Sequence, residues 1–160
     1  MLHGHGGEAL LYPDLIKLVK IAKENNIKNR LITNGVELIR NEKTREIYNY
    51  LDSLTLSIDS VNSNVNGALG RGKNHYNNIK QILDYVKDKN LELDINTVIN
   101  KENINEVQAL GEFLNNYKIG MWKFYKFMPL RETAEKNKSF FEISDKEFEN
   151  FQNNRSIQKV

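Results

Sequence analysis

The 160-residue sequence contains no cysteine. Disulfide bonds, a thiolate nucleophile, a zinc site with cysteine ligands and an iron–sulfur cluster held by cysteines of this chain are therefore excluded. Long apolar runs are missing as well, since no stretch approaches the roughly 20 residues that a transmembrane helix needs. The N-terminus does not have the pattern of a signal peptide. These absences predict a cytoplasmic protein with no membrane association.

Neither sign of charge dominates the composition. Lys and Arg number 23 against 21 for Asp and Glu, which gives a formal net charge of +2. A surplus this small does not indicate a protein that binds nucleic acid. Hydrophobic residues make up 39% and charged residues 28%, values typical of a soluble folded domain. No repeat or linker divides the chain, so we predict a single domain over residues 1–160.

Helical periodicity is clear in several parts of the chain. Three segments have apolar residues at helical spacing, namely 15–22 and 79–86 at i, i+3, i+4 and i+7, and 107–114 at i, i+3 and i+7. Two pairs have the spacing of a helix capping box, Asn103 with Glu106 and Ser144 with Glu147. We therefore expect helices to begin just after Asn103 and Ser144.

Short β-prone runs alternate with these helices. They cover residues 30–34, 54–59, 91–99 and 121–127. Such alternation predicts parallel strands joined by right-handed crossovers, hence an α/β fold. Four strands are too few for a closed eight-stranded barrel. We therefore predict an open, curved parallel sheet, or partial (β/α) barrel, with helices on its outer face.

Polar side chains alternate with apolar ones along two of the predicted strands. These polar residues are Thr55, Ser57, Asp59, Glu92, Asp94 and Asn96. Lys123 lies on the corresponding side of the last strand, with Met121 and Tyr125. This polar side of the sheet either meets solvent or lines a ligand cavity. We favour the cavity, because helices on every crossover would cover the apolar side. Ligands of such folds bind at the C-terminal ends of strands, where Asn34, Asp59 and Asn96 lie.

Three ordered motifs carry a resemblance to a known superfamily. They are GGEALLYPDL at 6–15, ITNG at 32–35 and LDSLTLSIDS at 51–60. Together they resemble the radical S-adenosylmethionine (SAM) superfamily, in which the Gly-Gly-Glu segment binds the amino group of SAM. This resemblance implies SAM as a cofactor.

A narrower resemblance appears in the later motifs. They are LSIDSVNSNVNGALGRGKNHYNNIKQI at 56–82, INTVIN at 95–100 and WKFYKF at 122–127. This series resembles viperin-like radical SAM nucleotide dehydratases. Those enzymes convert nucleoside triphosphates to 3′-deoxy-3′,4′-didehydro products in antiviral defence. The whole resemblance covers about residues 6–126 and leaves 127–160 as a C-terminal extension with a short helix.

The resemblance also implies a set of cofactor-binding residues. They are Gly6, Gly7, Glu8, Ser57, Arg71 and Asn96. Glu8 would accept hydrogen bonds from the SAM amino group, whereas Ser57 and Arg71 would hold its carboxylate, Arg71 through its planar fork. Asn96 would lie near the SAM ribose and the nucleotide.

A second implied set contacts the phosphates of a nucleotide substrate. It contains Lys73, Asn74, His75 and Lys123. Family members that take CTP carry a basic residue two positions before the asparagine matched by Asn96. Asp94 stands there in this chain and is expected to repel phosphate, so the preferred base is left open.

The same resemblance exposes a departure. The family binds a [4Fe–4S] cluster through a CxxxCxxC loop after its first strand, and this chain has no cysteine. The sequence begins where the family's second strand should end, so we expect the N-terminal βα unit to be missing. We predict that this chain alone has no catalytic residues for the radical reaction. An unpaired strand edge would remain, which predicts a homodimer formed through that edge.

Two other interpretations stay open. The chain could be a non-enzymatic interaction protein on a degenerate radical SAM fold. Alternatively, Glu8, Asp59 and Asp94 could form a carboxylate site for Mg²⁺ in a different enzyme.

Overall fold

The computed structural model describes residues 2–3, 7–129 and 138–153. Five parallel strands form one sheet in which the spatial order equals the chain order. The strands are β1 (Leu2–His3), β2 (Asn29–Thr33), β3 (Ser53–Ser57), β4 (Glu92–Ile99) and β5 (Met121–Lys126). Within the described residues the sheet is open, because β1 and β5 are its two edges. The predicted open parallel sheet is confirmed, and β1 is an additional strand that periodicity did not predict.

Seven α-helices lie in the described part of the chain. They are α1 (Leu15–Glu24), α2 (Val36–Arg40), α3 (Ser63–Ala68), α4 (His75–Val86), α5 (Val107–Leu114), α6 (Lys138–Phe141) and α7 (Asp145–Asn153), with 3₁₀ turns at Ala9–Leu11 and Glu42–Asn49. The three segments of helical periodicity are confirmed as α1, α4 and α5. None of these helices is long and apolar enough to cross a membrane.

The two predicted capping boxes have different outcomes. The Ser144 amide donates to the Glu147 carboxylate at 2.7 Å, and the Glu147 amide donates back to the Ser144 hydroxyl at 3.1 Å. The box predicted for Asn103 and Glu106 is wrong. The Asn103 side-chain amide instead donates to the backbone carbonyl of Asp59 at 2.9 Å. Because that side chain bridges to the end of β3, α5 begins only after Glu106.

The core lies between one face of the sheet and the helices. Leu54, Leu56 and Ile95 of β3 and β4 are fully buried. They belong to one apolar cluster with residues of α4, namely Ile79, Ile82, Leu83 and Val86. Helices therefore cover the apolar side of the strands, as the sequence pattern predicts.

The other side of β3, β4 and β5 carries the predicted polar residues. We call it the polar face and define it by Thr55, Ser57, Asp94, Asn96 and Lys123. In the strand register Thr55 is opposite Asp94, Ser57 is opposite Asn96, and Asn96 is opposite Lys123. Register partners in neighbouring strands lie about 4.8 Å apart. The polar face is thus a continuous surface across three strands.

Candidate functional site

The loop before the first helix is tied to the end of β2 by Glu8. Its carboxylate accepts hydrogen bonds from the Thr33 hydroxyl at 2.7 Å, the Asn34 amide at 3.0 Å and the Leu10 amide at 3.3 Å. Gly7 has a φ of +87°, and none of the described residues lies within 4 Å of the position that a Cβ would take. The Glu8 side chain therefore holds the loop, while the Gly7 backbone is open to close approach. Gly6 lies outside the described residues.

Ser57, Asn96 and Lys123 form a row across the polar face. They are register partners on β3, β4 and β5. The Asn96 side-chain oxygen is buried, and in the described part of the chain it has no hydrogen-bond partner. A buried acceptor without a donor costs about 1–3 kcal/mol. A ligand hydroxyl or amino group at this point would remove that cost.

Arg71 reaches the same end of the sheet from the loop before α4. Its Nε atom donates to Oδ2 of Asp59 at 2.8 Å. Asp59 follows β3 and is 4% exposed, and its Oδ1 accepts the Val98 amide of β4 at 2.9 Å. The loop thereby brings a guanidinium group beside the C-terminal ends of β3 and β4. This partner of Arg71 was not predicted, because spacing does not show where a loop returns.

His75 is buried at the start of α4. It is 1% exposed, and its Nε2 lies 2.9 Å from the Ser57 carbonyl oxygen. Burial lowers the pKa of His75 below the usual 6.5, and Arg71 acts in the same direction, although the contact with the Ser57 carbonyl opposes both. A neutral imidazole ring donates through one nitrogen only. We therefore place the ring proton on Nε2, which donates to the Ser57 carbonyl oxygen. His75 therefore supports the strand end that carries Ser57.

The other three residues of the predicted phosphate set are not buried as His75 is. Lys73 and Asn74 are exposed immediately before α4, and the stem of Lys73 passes over Gly67. Lys123 is half-buried on the polar face. The structure therefore brings Ser57, Asn96 and Lys123 together and leaves Lys73 and Asn74 on the adjoining loop.

Asp94 is the buried acid of the polar face. It is 1% exposed, with Oδ2 lying 3.6 Å from the Arg30 guanidinium. Within the described residues neither carboxylate oxygen has a hydrogen bond of good geometry. Burial raises the pKa of the Asp94 carboxyl, and Arg30, Lys123 and the nearby Met121 amide oppose that rise. Arg30 was missed as a neighbour, although the alternation of β2 places it on the same side of the sheet.

The carboxylate metal site is not supported. Among the described residues there is no group of three His, Cys, Asp or Glu side chains that could hold a metal ion. Each acid of that hypothesis has its own neighbour in the chain: Glu8 has Thr33, Asp59 has Arg71 and Asp94 has Arg30.

Comparison with known families and proteins identifies the class. The sequence model of the Radical SAM superfamily matches residues 1–114, so the chain belongs to the radical SAM superfamily. An S-adenosylmethionine-dependent nucleotide dehydratase of Flammeovirga pacifica is 35% identical over 96% of this chain and 53% of its own length. One from Lacinutrix mariniflava is 32% identical over 91% of this chain and 31% of its own length. The resemblance to viperin-like nucleotide dehydratases is thereby confirmed, and the chain spans about half or less of these relatives.

Solved structures show the same fold. SuiB of Streptococcus suis bound to S-adenosylmethionine superimposes with a TM-score of 0.75 and 20% identity over 92% of this chain and 34% of its own. A domain of a pyruvate-formate lyase-activating enzyme from Bacteroides vulgatus gives a TM-score of 0.64 and 18% identity over 95% of this chain and 90% of its own. The predicted partial barrel of the superfamily is therefore confirmed.

The two cofactors of the superfamily fit this chain differently. For SAM, the described residues leave open space at Gly7 and the Asn96 oxygen without a partner, and these features together with the guanidinium of Arg71 suit its amino-acid and ribose parts. For a [4Fe–4S] cluster, the 160 residues contain no cysteine. The residues present therefore fit SAM and do not fit the cluster.

Proposed function

We propose that this chain provides a SAM-binding and nucleotide-binding surface of a viperin-like nucleotide dehydratase, a class associated with antiviral defence. The cofactor-binding residues are Gly6, Gly7, Glu8, Ser57, Arg71 and Asn96. The phosphate-binding residues are Lys73, Asn74 and Lys123, whereas His75, the fourth residue of the predicted phosphate set, is too buried to reach a phosphate and acts from the interior by supporting Ser57. Because this chain has no cysteine to hold the cluster, we propose that alone it binds ligands and does not perform the radical reaction.

The observation that carries this proposal is the row formed by Ser57, Asn96 and Lys123, with Arg71 at its end. A hydroxyl, an unpaired amide oxygen and an ammonium group follow one another across three strands. The guanidinium beside them is directed by Asp59. Those groups match, in order, a carboxylate, a ribose and a phosphate, which are the polar parts of SAM and of a nucleoside triphosphate.

Each residue has a binding task in this proposal. The terminal nitrogens of Arg71 and the Ser57 hydroxyl donate to the carboxylate of SAM. The Asn96 oxygen accepts from a ribose hydroxyl, and the Lys123 ammonium neutralises phosphate. SAM supplies the superfamily's radical chemistry only together with a cluster, so no radical step is assigned to residues of this chain.

Calorimetric titration of the chain with SAM tests the proposal. Arg71→Ala removes a charge-assisted hydrogen-bonding group worth roughly 1.5–3 kcal/mol, so we expect affinity for SAM to fall at least about tenfold. Arg40→Ala is the matched control, because Arg40 is a surface arginine paired with Glu37 on α2. Unchanged affinity in Arg71→Ala, or no binding by the unaltered chain, would contradict the proposal.

A homodimer is a second proposal, favoured by the N-terminal edge of the sheet. Within the described residues, β1 pairs with Asn29 and Arg30 of β2. Residues 31–33 of β2 have no strand on that side within the described chain, and exposed strand edges pair readily. Light scattering after gel filtration should give twice the monomer mass of 18.6 kDa. A monomer at about 100 µM, far above the micromolar Kd of a stable dimer, would contradict it.

A further inference from the structure

Asp59 is a buried carboxylate that joins two parts of the candidate site. Its Oδ1 accepts the Val98 amide at 2.9 Å, and its Oδ2 accepts Nε of Arg71 at 2.8 Å. The backbone carbonyl of Asp59 accepts from the Asn103 side chain at 2.9 Å. Three contacts from different segments therefore fix its position. A carboxylate buried to this extent is stable only when it is paired in this way.

The pairing leaves the far end of Arg71 available. Arg71 donates to Asp59 through Nε alone, and its two terminal nitrogens have no hydrogen-bond partner among the described residues. The side chain is 26% exposed. A guanidinium is planar, so a fixed Nε also fixes the plane in which the terminal N–H groups lie. Those groups form a fork that matches the two oxygens of a carboxylate.

The loop backbone does not provide this orientation by itself. The Arg71 amide donates to the Asn66 carbonyl at 2.9 Å, and Gly70 and Gly72 have φ values of +72° and +88°. These features fix the backbone position from which the Arg71 side chain extends. The rest of a free arginine side chain would still lose up to about 2 kcal/mol of rotamer freedom when a ligand binds. The contact with Asp59 removes much of that loss before binding.

We infer that Asp59 is a positioning residue, which holds Arg71 ready for the carboxylate of the amino-acid part of the ligand. This inference rests on the proposed function, since it requires SAM to bind beside Arg71. Asp59 itself does not contact the ligand. Its effect is therefore specific to ligands that carry a carboxylate.

The test compares two ligands that differ only in that group. Decarboxylated SAM retains the sulfonium, the amine and the nucleoside but lacks the carboxylate. Asp59→Asn keeps an oxygen for the Val98 amide and loses the charged acceptor for Arg71. We expect Asp59→Asn to weaken SAM binding about fivefold or more, because preorganisation is lost, and to leave the affinity for decarboxylated SAM within twofold. Asp52→Asn is the control, since Asp52 accepts both Lys23 and the Asn29 amide away from Arg71.

The outcomes separate the inference from the function on which it rests. An equal loss of affinity for both ligands in Asp59→Asn would show a merely structural role and overturn the inference. Absence of SAM binding by the unaltered chain would overturn the proposed function. Should Asp59→Asn fail to fold, Arg71→Lys keeps the positive charge but loses the fixed fork. It should lower affinity for SAM and not for decarboxylated SAM, and equal effects on both ligands would again overturn the inference.

Discussion

The Glu8 carboxylate lies 2.7 Å from the hydroxyl oxygen of Thr33, which donates to it. The same hydroxyl accepts the Gly35 amide at 3.0 Å. Glu8 also accepts the Asn34 amide. These contacts connect the Gly-Gly-Glu loop to the turn after β2. Glu8 thus holds the loop in place. The same carboxylate is also proposed to contact the SAM amino group.

Removing the Thr33 hydroxyl should destabilise the fold. In Thr33→Val the Glu8 carboxylate and the Gly35 amide each lose a partner in a site where Thr33 is 3% exposed. We expect a loss of about 1–3 kcal/mol in the free energy of unfolding by urea. Thr55→Val is the matched control, because Thr55 is equally buried and the described structure records no side-chain hydrogen bond for it. Equal stability of the two variants would contradict this role of Thr33.

Gly35 is required by both its backbone and its surroundings. It has a φ of +80°, and a Cβ added there would lie 2.7 Å from Cδ1 of Ile82. Gly35→Ala should therefore lower the free energy of unfolding by about 2–4 kcal/mol, since a strained backbone and an overpacked core add. Gly70 has a similar φ of +72°, but none of the described residues lies within 4 Å of its Cβ position, so Gly70→Ala should cost only about 1–2 kcal/mol. Comparable losses in urea denaturation would contradict the packing argument.

The buried His75 should make stability depend on pH. Its pKa is lower in the folded chain than the usual 6.5, so below pH 6.5 the unfolded chain binds more protons than the folded one. Stability is then fully present above pH 6.5 and is lost as pH falls toward the folded pKa. Urea denaturation midpoints at pH 7.5 and 5.5 should differ in the unaltered chain. In His75→Gln, which cannot take up this proton, the difference should shrink. If the difference between the two midpoints is the same in His75→Gln as in the unaltered chain, the lowered pKa of His75 is contradicted.

Asp94 should weaken the binding of triphosphates. It lies on the polar face next to Asn96 and Lys123, and its carboxylate partly neutralises the positive charge of Arg30. Asp94→Asn removes the repulsion and leaves Arg30 freer, so we expect affinity for nucleoside triphosphates to rise about fivefold at low salt. Glu92→Gln, an exposed acid 4.0 Å from Arg30, should have a smaller effect. Unaltered affinity in Asp94→Asn would contradict the expectation that Asp94 repels phosphate.

Strand periodicity accounts for the part of the site that could be predicted from the sequence. The alternation around Ser57 and Asn96 predicts a shared face, because side chains of a strand have a period of two residues. The parallel register then brings those residues together. This information is local and repeats along the chain, so it can be read from spacing.

The contacts between loops and strands were not predictable in the same way. Arg71 is paired with Asp59, and Asn103 bridges to the Asp59 carbonyl rather than capping α5. His75, at the start of α4, points to the Ser57 carbonyl in the interior. Each of these contacts depends on how a loop returns to the sheet. No periodic pattern in the sequence indicates the path that such a loop takes.

The most direct test of the central claim is a titration of the ¹⁵N-labelled chain with SAM, followed by two-dimensional NMR. The claim is that residues from separate segments form one ligand site. We predict that the amide signals of Glu8, Ser57, Arg71 and Asn96 shift together with a single apparent affinity, while signals of α1 on the opposite side of the sheet stay in place. Shifts confined to α1, or scattered without a common affinity, would contradict it.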